Sequence, residues 1–191
     1  MPYRFTSRVD GDARELQDRE HWAVVHQVHG NGVVVATAPG HLGDADAIVT
    51  ATPGVPIAVR VADCAPIALL ADGVVGVVHA GWRGLAAGVI PATLDAMRAL
   101  GAGDVRAVLG PCIRAECYEF GAADLDAVAA ALGDGVRSTT SWGTPALDLV
   151  AGIRTQLPGV VDVGVCTACS GTHFSHRARG EAERQAVVAW L

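Results

Sequence analysis

Three segments place a metal-capable side chain where an apolar run ends. His29 stands in QVHGNG just before a glycine turn, Cys64 follows Asp63 in VADCAP, and His79 closes a valine-rich run in VVHAGWRG. Two imidazoles and one thiolate make a plausible zinc set, because three protein ligands leave the fourth tetrahedral position for water or substrate. Structural zinc more often takes four ligands at short spacing, so positions 29, 64 and 79 require the fold to gather them. A histidine at a strand end also serves commonly as a hydrogen-bonded structural group. Spacing alone leaves both readings open.

Two neighbouring residues extend the chemistry. Arg83 stands four residues past His79, beside Gly84 and an expected helix start. Its guanidinium and the backbone N–H groups of the junction could meet an anion, or it could simply form a structural ion pair. Asp63, next to Cys64, lies in the strand break before Pro66, where a carboxylate can cap a turn. Cys112, in GPCIRAECYEF, is a separate nucleophile candidate, although without a paired base a buried thiol is the simpler reading. Cys166 and Cys169 have CxxC spacing, yet a zinc knuckle needs a second such pair and none exists. They read as two thiols at the end of a buried strand. His21, His26 and His41 lack any comparable context and are expected at the surface.

The elements that must position these residues come from periodicity and turn chemistry. WAVVHQVHG and GVVVATA predict strands bracketing the Gly-Asn-Gly at 30–32, a strong hairpin or tight-turn signal. DAIVTA, two segments of VPIAVRVADCAPIALLAD and GVVGVVHAGW follow as strands, the last by its valine content. GLAAGVIPATLDAMRALG predicts a helix stopped by Gly101. A looser second half has strands at DVRAVLGPCI and VVDVGVCTACS and helices at GAADLDAVAAALGDG and PALDLVAGIRTQLPG. GEAERQAVVAWL has the period of a closing helix. The pattern predicts one α+β domain over 1–191, with mixed β-sheets and helices packed outside.

Composition bounds the function classes. Hydrophobic residues make up 51% and charged residues 18%, ample for a core and unlike a disordered chain. A formal charge of −6 argues against an electrostatic grip on nucleic acid or an anionic membrane. No run of about 18 apolar residues appears, and the opening MPYRFTSRVDGDARE lacks a signal peptide's apolar stretch, so a cytoplasmic location is expected. In that reducing compartment five cysteines read as thiols, ligands or nucleophiles more readily than as bridges. Nothing in the sequence specifies an oligomeric state.

QVHGN, ADC with its following proline, HAGWRG, GPCI…CYEF and the terminal FSHR…RQ resemble, in the same order, the motifs of the YfiH family. Its members carry the names multicopper polyphenol oxidase or laccase, and also purine nucleoside phosphorylase with adenosine deaminase activity. The resemblance covers nearly the whole chain from Phe5. It implies a duplicated four-layer α/β/β/α arrangement, and zinc bound by His29, Cys64 and His79. It also implies purine nucleosides (adenosine, inosine, guanosine, methylthioadenosine) and phosphate as substrates. Phosphate would attack C1′ through an oxocarbenium-like transition state, with Arg83 as anion site. Deamination would use a zinc-activated water, with Asp63 moving the proton. Copper-dependent phenol oxidation needs a histidine-rich trinuclear cluster that seven histidines fill poorly. Editing of a peptidoglycan precursor is a further role attached to the family. Two departures stand out. The stretch before His29 is short, leaving Arg8 of FTSR as a possible pocket residue, and His176 stands where a tyrosine is common.

Overall fold

Two twisted sheets meet face to face, and the chain passes between them at the residues singled out above. The computed structural model describes residues 2–191. One sheet orders its five strands β1 (Tyr3–Phe5), β13 (Gln185–Ala189), β6 (Ile57–Val61), β2 (Ala23–His26) and β4 (Gly40–Asp44). The other orders six: β12 (Val161–Asp162), β9 (Arg106–Leu109), β7 (Ala65–Ala71), β8 (Val74–Ala80), β5 (Ala47–Thr50) and β3 (Val33–Val35). A small hairpin pairs β10 (Arg137–Thr139) with β11 (Pro145–Leu147). Both large sheets are mixed, since parallel β2–β6 and β3–β5 pairs sit beside antiparallel β13–β6 and β7–β8 pairs. The fold is α+β, as the sequence predicts.

The valine-rich run of β8 is explained by burial on both faces. Val75 and Val77 join Ile48, Ile57, Val59 and Val187 between the sheets. Val74 and Val78 face the helical layer instead, with Ile67, Leu69, Leu85, Ile90, Met97 and Ile153. Strands buried on both faces carry continuous apolar runs rather than alternation. The helical layer comprises α1 (Trp82–Ala86), α2 (Val89–Ala99) and α4 (Leu149–Gln156), with α3 (Ala122–Leu132) in a satellite core around Ile113 and Phe120. On the outer face of the five-stranded sheet, Ala13 and Trp22 from the segment between β1 and β2 cover Ala58, Ala186 and Val188. α5 (His176–Arg179) is a single turn capped by Ser175.

Several sequence-based expectations change in physical detail. The terminal segment is strand β13, not a helix. Its five residues are all buried between β1 and β6, and central sheet burial overrides a weak helical period. The Gly-Asn-Gly at 30–32 closes no hairpin, because β2 and β3 belong to different sheets. The helix expected after His79 is broken at Gly88, whose φ of 84° interrupts it between α1 and α2. Pro145–Leu147 is a strand, and α4 starts only after Asp148, whose side chain accepts from the Ala151 amide. Of VVDVGVCTACS only Val161–Asp162 is extended in a sheet. Among the described residues, no helix is long and apolar enough to cross a membrane.

Candidate metal centre

The chain steps from the five-stranded to the six-stranded sheet three times, between β2 and β3, between β4 and β5 and between β6 and β7. The first crossing carries His29, the second Asp46, and the third Asp63 and Cys64. His79 arrives at the end of β8, paired across β7 with Pro66. The ligand atoms of His29, Cys64 and His79 all lie within 4.8 Å of one another. Cys64 Sγ stands 3.9 Å from His29 Nε2, and the two imidazole rings meet edge to face with centroids 4.8 Å apart.

Backbone conformation is unusual at the first and third crossings. His29 has φ of 60° and Asp63 has φ of 91°, the two non-glycine residues with positive φ among those described. Such conformations cost about 1–3 kcal/mol each and persist where surrounding contacts over-determine them. Asp46, at the start of the β5 segment, supplies those contacts for His29. Its buried carboxylate accepts from the amides of His29 (2.9 Å), Gly30 (2.6 Å) and Val28 (3.3 Å), and it meets His79 Nδ1 at 2.7 Å. One carboxylate thus shapes the His29 turn and points His79 Nε2 toward Cys64, the carboxylate–histidine support typical of metal centres. No motif signalled Asp46 in the sequence; DADAIVT reads only as a strand start.

The electrostatics follow from this packing. Burial pushes the Cys64 thiol up, but the His79 charge and hydrogen bonds from both histidines outweigh it and bring it to about 6. Burial likewise disfavours a charged His79, while the Cys64 thiolate and Asp46 carry its pKa to about 9. For Asp46, burial is overcome by His79 and by the Gly30 amide, leaving the carboxyl below its usual range. Without a cation, the packing favours a thiolate at Cys64 and an imidazolium at His79 together. The thiolate that a metal requires is already favoured.

The two glycines of HAGWRG make room for the ligand loop. A Cβ on Gly81 would lie 2.9 Å from His29 Cδ2 and 3.2 Å from Cys64 Sγ. One on Gly84 would lie 2.6 Å from the Gly30 carbonyl oxygen, a backbone atom that cannot swing aside. Gly84→Ala is therefore expected to destabilise the protein by about 1–3 kcal/mol, as overpacking does. Urea denaturation measures it, and an unchanged midpoint would show that α1 can back away from the His29 loop.

Asp63, His29, Cys64 and His79 line one open cavity of about 520 Å³, together with Arg60, Tyr118, His176 and Arg177. Asp63 is buried, and its carboxylate accepts from Thr167 Oγ1 (2.7 Å), Ser175 Oγ (2.7 Å) and the Arg177 amide (2.6 Å). Arg83 is exposed, stacked over the Trp82 ring, and is not among the residues lining the cavity. The arginines that do line it are Arg14, Arg60, Arg177 and Arg184. Arg8 is likewise no pocket residue, being spent on Glu181, on the Gly171 and His173 carbonyls and on the Phe174 ring. Arg60 differs from its neighbours: its half-buried guanidinium has no hydrogen-bond or ion-pair partner among the described residues. Burial and the adjacent Arg14 and Arg19 lower its pKa, marking a cationic corner. Cys112 is wholly buried, and burial pushes its thiol up to about 12, so it is a packing group rather than a nucleophile. His21 and His26 lie at the surface, although His26 also borders the cavity.

The family model described as multi-copper polyphenol oxidoreductase laccase matches residues 8–191. The chain belongs to this family, the YfiH family. A purine nucleoside phosphorylase of Streptomyces griseus is 43% identical to this YfiH-family chain over 188 residues, covering 91% of it and 76% of the relative. One of Deinococcus radiodurans is 43% identical over 158 residues, covering 79% and 61%. Among solved structures, YlmD from Geobacillus stearothermophilus superposes with a TM-score of 0.79 at 30% identity, covering 90% of this chain and 74% of that one. YfiH of Bacillus licheniformis gives 0.80 at 25%, covering 91% and 76%. These matches confirm the mixed α+β arrangement and the family that the five motifs indicate.

Proposed function

We propose that this YfiH-family chain is a zinc-dependent purine nucleoside phosphorylase. The observation that carries the reading is the convergence of His29, Cys64 and His79 in a cavity whose cationic corner holds an unpartnered Arg60. The relatives named purine nucleoside phosphorylase agree with it. Two imidazoles and one thiolate suit zinc, and Asp46 orients the one ligand that is fully buried. Multicopper chemistry has less support. The two convergent groups of metal-capable side chains among the described residues include only two histidines, short of a trinuclear set.

A zinc ion held by the three residues supplies Lewis acidity, for an oxygen of phosphate or substrate or for a water. The chain's own groups do the rest. Arg60 holds phosphate near C1′ of the nucleoside by charge-assisted bonds. Phosphate oxygen bonds to C1′ as the bond from C1′ to the purine nitrogen breaks, and the base takes up a proton. Tyr118 remains protonated because burial raises its phenol, so it can donate toward the departing base. Asp63 serves this reading as a positioning group, its three donors holding the Cys64 crossing against the Ser175–Arg177 segment. Adenosine deamination is a second use of the same cavity, favoured by the fourth ligand position that three protein ligands leave open.

Incubation with adenosine and phosphate tests both reactions, adenine reporting phosphorolysis and inosine deamination. Arg60→Ala is expected to raise the KM for phosphate about ten- to hundredfold, the worth of one charge-assisted bond of about 1.5–3 kcal/mol. Deamination, which consumes water, should change little. Arg83→Ala on the same preparation compares the exposed arginine. If Arg83→Ala raises the phosphate KM and Arg60→Ala does not, the anion site lies on the α1 side.

A further inference from the structure

The fold assembles a second group of ligating side chains that the sequence leaves apart. Cys166 and Cys169 belong to the tight turn after β12, closed by the Ser170 amide on the Cys166 carbonyl at 3.0 Å. Cys117 ends a 3-10 turn, Ala115–Cys117, that lies 49 residues earlier than Cys166 in the chain. A parallel bridge between Cys112 and Cys166 and the Thr167 amide on the Cys112 carbonyl, at 3.1 Å, bring the two segments together. The three sulfur atoms of Cys117, Cys166 and Cys169 then lie within 4.8 Å of one another, with Cys117 and Cys169 in direct contact at 2.7 Å. All three thiols are free, two partly exposed and Cys169 exposed.

We propose that Cys117, Cys166 and Cys169 form a second metal site, taking a thiophilic d10 cation of the zinc or copper(I) class. Soft thiolate ligands select such ions over harder ones. At a zinc–sulfur distance of about 2.3 Å, tetrahedral ligands stand roughly 3.8 Å apart, so Cys117 and Cys169, 2.7 Å apart, would open by about 1 Å to hold the ion, a small turn of the exposed Cys169 side chain. Exposed Cys169 leaves a path for entry, and the fourth position is open to water. Glu116, beside Cys117, adds negative charge to the cation's surroundings. A bound ion clips the Cys166–Cys169 turn to the segment carrying Tyr118. The same turn reaches the first site through Thr167, whose hydroxyl donates to Asp63 at 2.7 Å. The ion would thus brace one wall of the cavity at the first site without entering it. The proposal is independent of the nucleoside reading, because it concerns other ligands and needs no assay of activity.

Cadmium titration of the full chain, stripped of metal and kept reduced, tests it. Thiolate-to-cadmium absorption in the ultraviolet counts the sulfur ligands. The wild-type protein should bind two cadmium equivalents, with absorption from four thiolates. Cys64→Ala should keep one equivalent and about three quarters of the absorption, since three of the four thiolates remain. Cys169→Ser, at an exposed position where folding is least at risk, should lose the second equivalent while the first is retained. A circular dichroism spectrum matching wild type confirms that the variant is folded. Wild-type saturation at one equivalent, with binding abolished by Cys64→Ala, would overturn the proposal. So would a Cys169→Ser titration that matches wild type in stoichiometry and absorption.

Discussion

Zinc retention at the first site and phosphorolysis are expected to fall together in Cys64→Ala. Removing a supporting partner of a metal ligand costs about 10–100-fold in affinity, and removing the ligand itself should exceed that. The loss is electrostatic as well as geometric. Cys64 is the one anionic ligand of the three, with a thiol near 6, and His79 owes part of its raised pKa to that thiolate. An alanine leaves two imidazoles and no anionic ligand to balance the cation, the Asp46 carboxylate acting only through His79. Metal analysis at a series of chelator concentrations, paired with product formation on the same samples, reads both quantities. A Cys64→Ala protein that keeps zinc and loses activity would recast Cys64 as a nucleophile, with His79 and Asp46 behind it.

Asp46→Ala is expected to be the most destabilising single change near the site, by about 3–5 kcal/mol. It removes the acceptor for the His29 and Gly30 amides and the partner of buried His79 in one step. Stranding a buried charged partner has that order of cost. Because Asp46 holds His29 in its positive-φ conformation, the turn should relax and the ligand should move. Asp46→Asn preserves the shape and separates the two effects. It should be the milder variant in urea, yet it should still lower zinc affinity by about 10–100-fold, since an amide cannot serve both the imidazole and the amides as an anion does. Equal zinc affinity in Asp46→Asn and the wild type would show that backbone geometry alone orients His79.

The chemistry of this protein was more legible in its sequence than its geometry was. Side-chain type is local information, so two imidazoles and a thiol at the ends of apolar runs could be nominated as a metal set from the residues themselves. Strands β5 to β9 were legible for the same reason. Their valine and isoleucine runs admit few alternatives to burial within a sheet. The terminal strand β13 was not, because QAVVA satisfies either period, and only the flanking strands β1 and β6 decide between them.

Convergence is a property of the tertiary structure. The sequence could not place Asp46 under both histidines, since a carboxylate in DADAIVT has no local signature of burial. Nor could it separate exposed Arg83 from half-buried Arg60, which reads as a polar interruption of a strand. The same limit applies to Cys117, where CxxC at 166–169 looked incomplete because the third thiol is remote in the chain. The residue types capable of chemistry were determined by sequence alone. Which of them meet was decided by three crossings between sheets, because side chains far apart in the chain become neighbours only when buried strands carry them to one place.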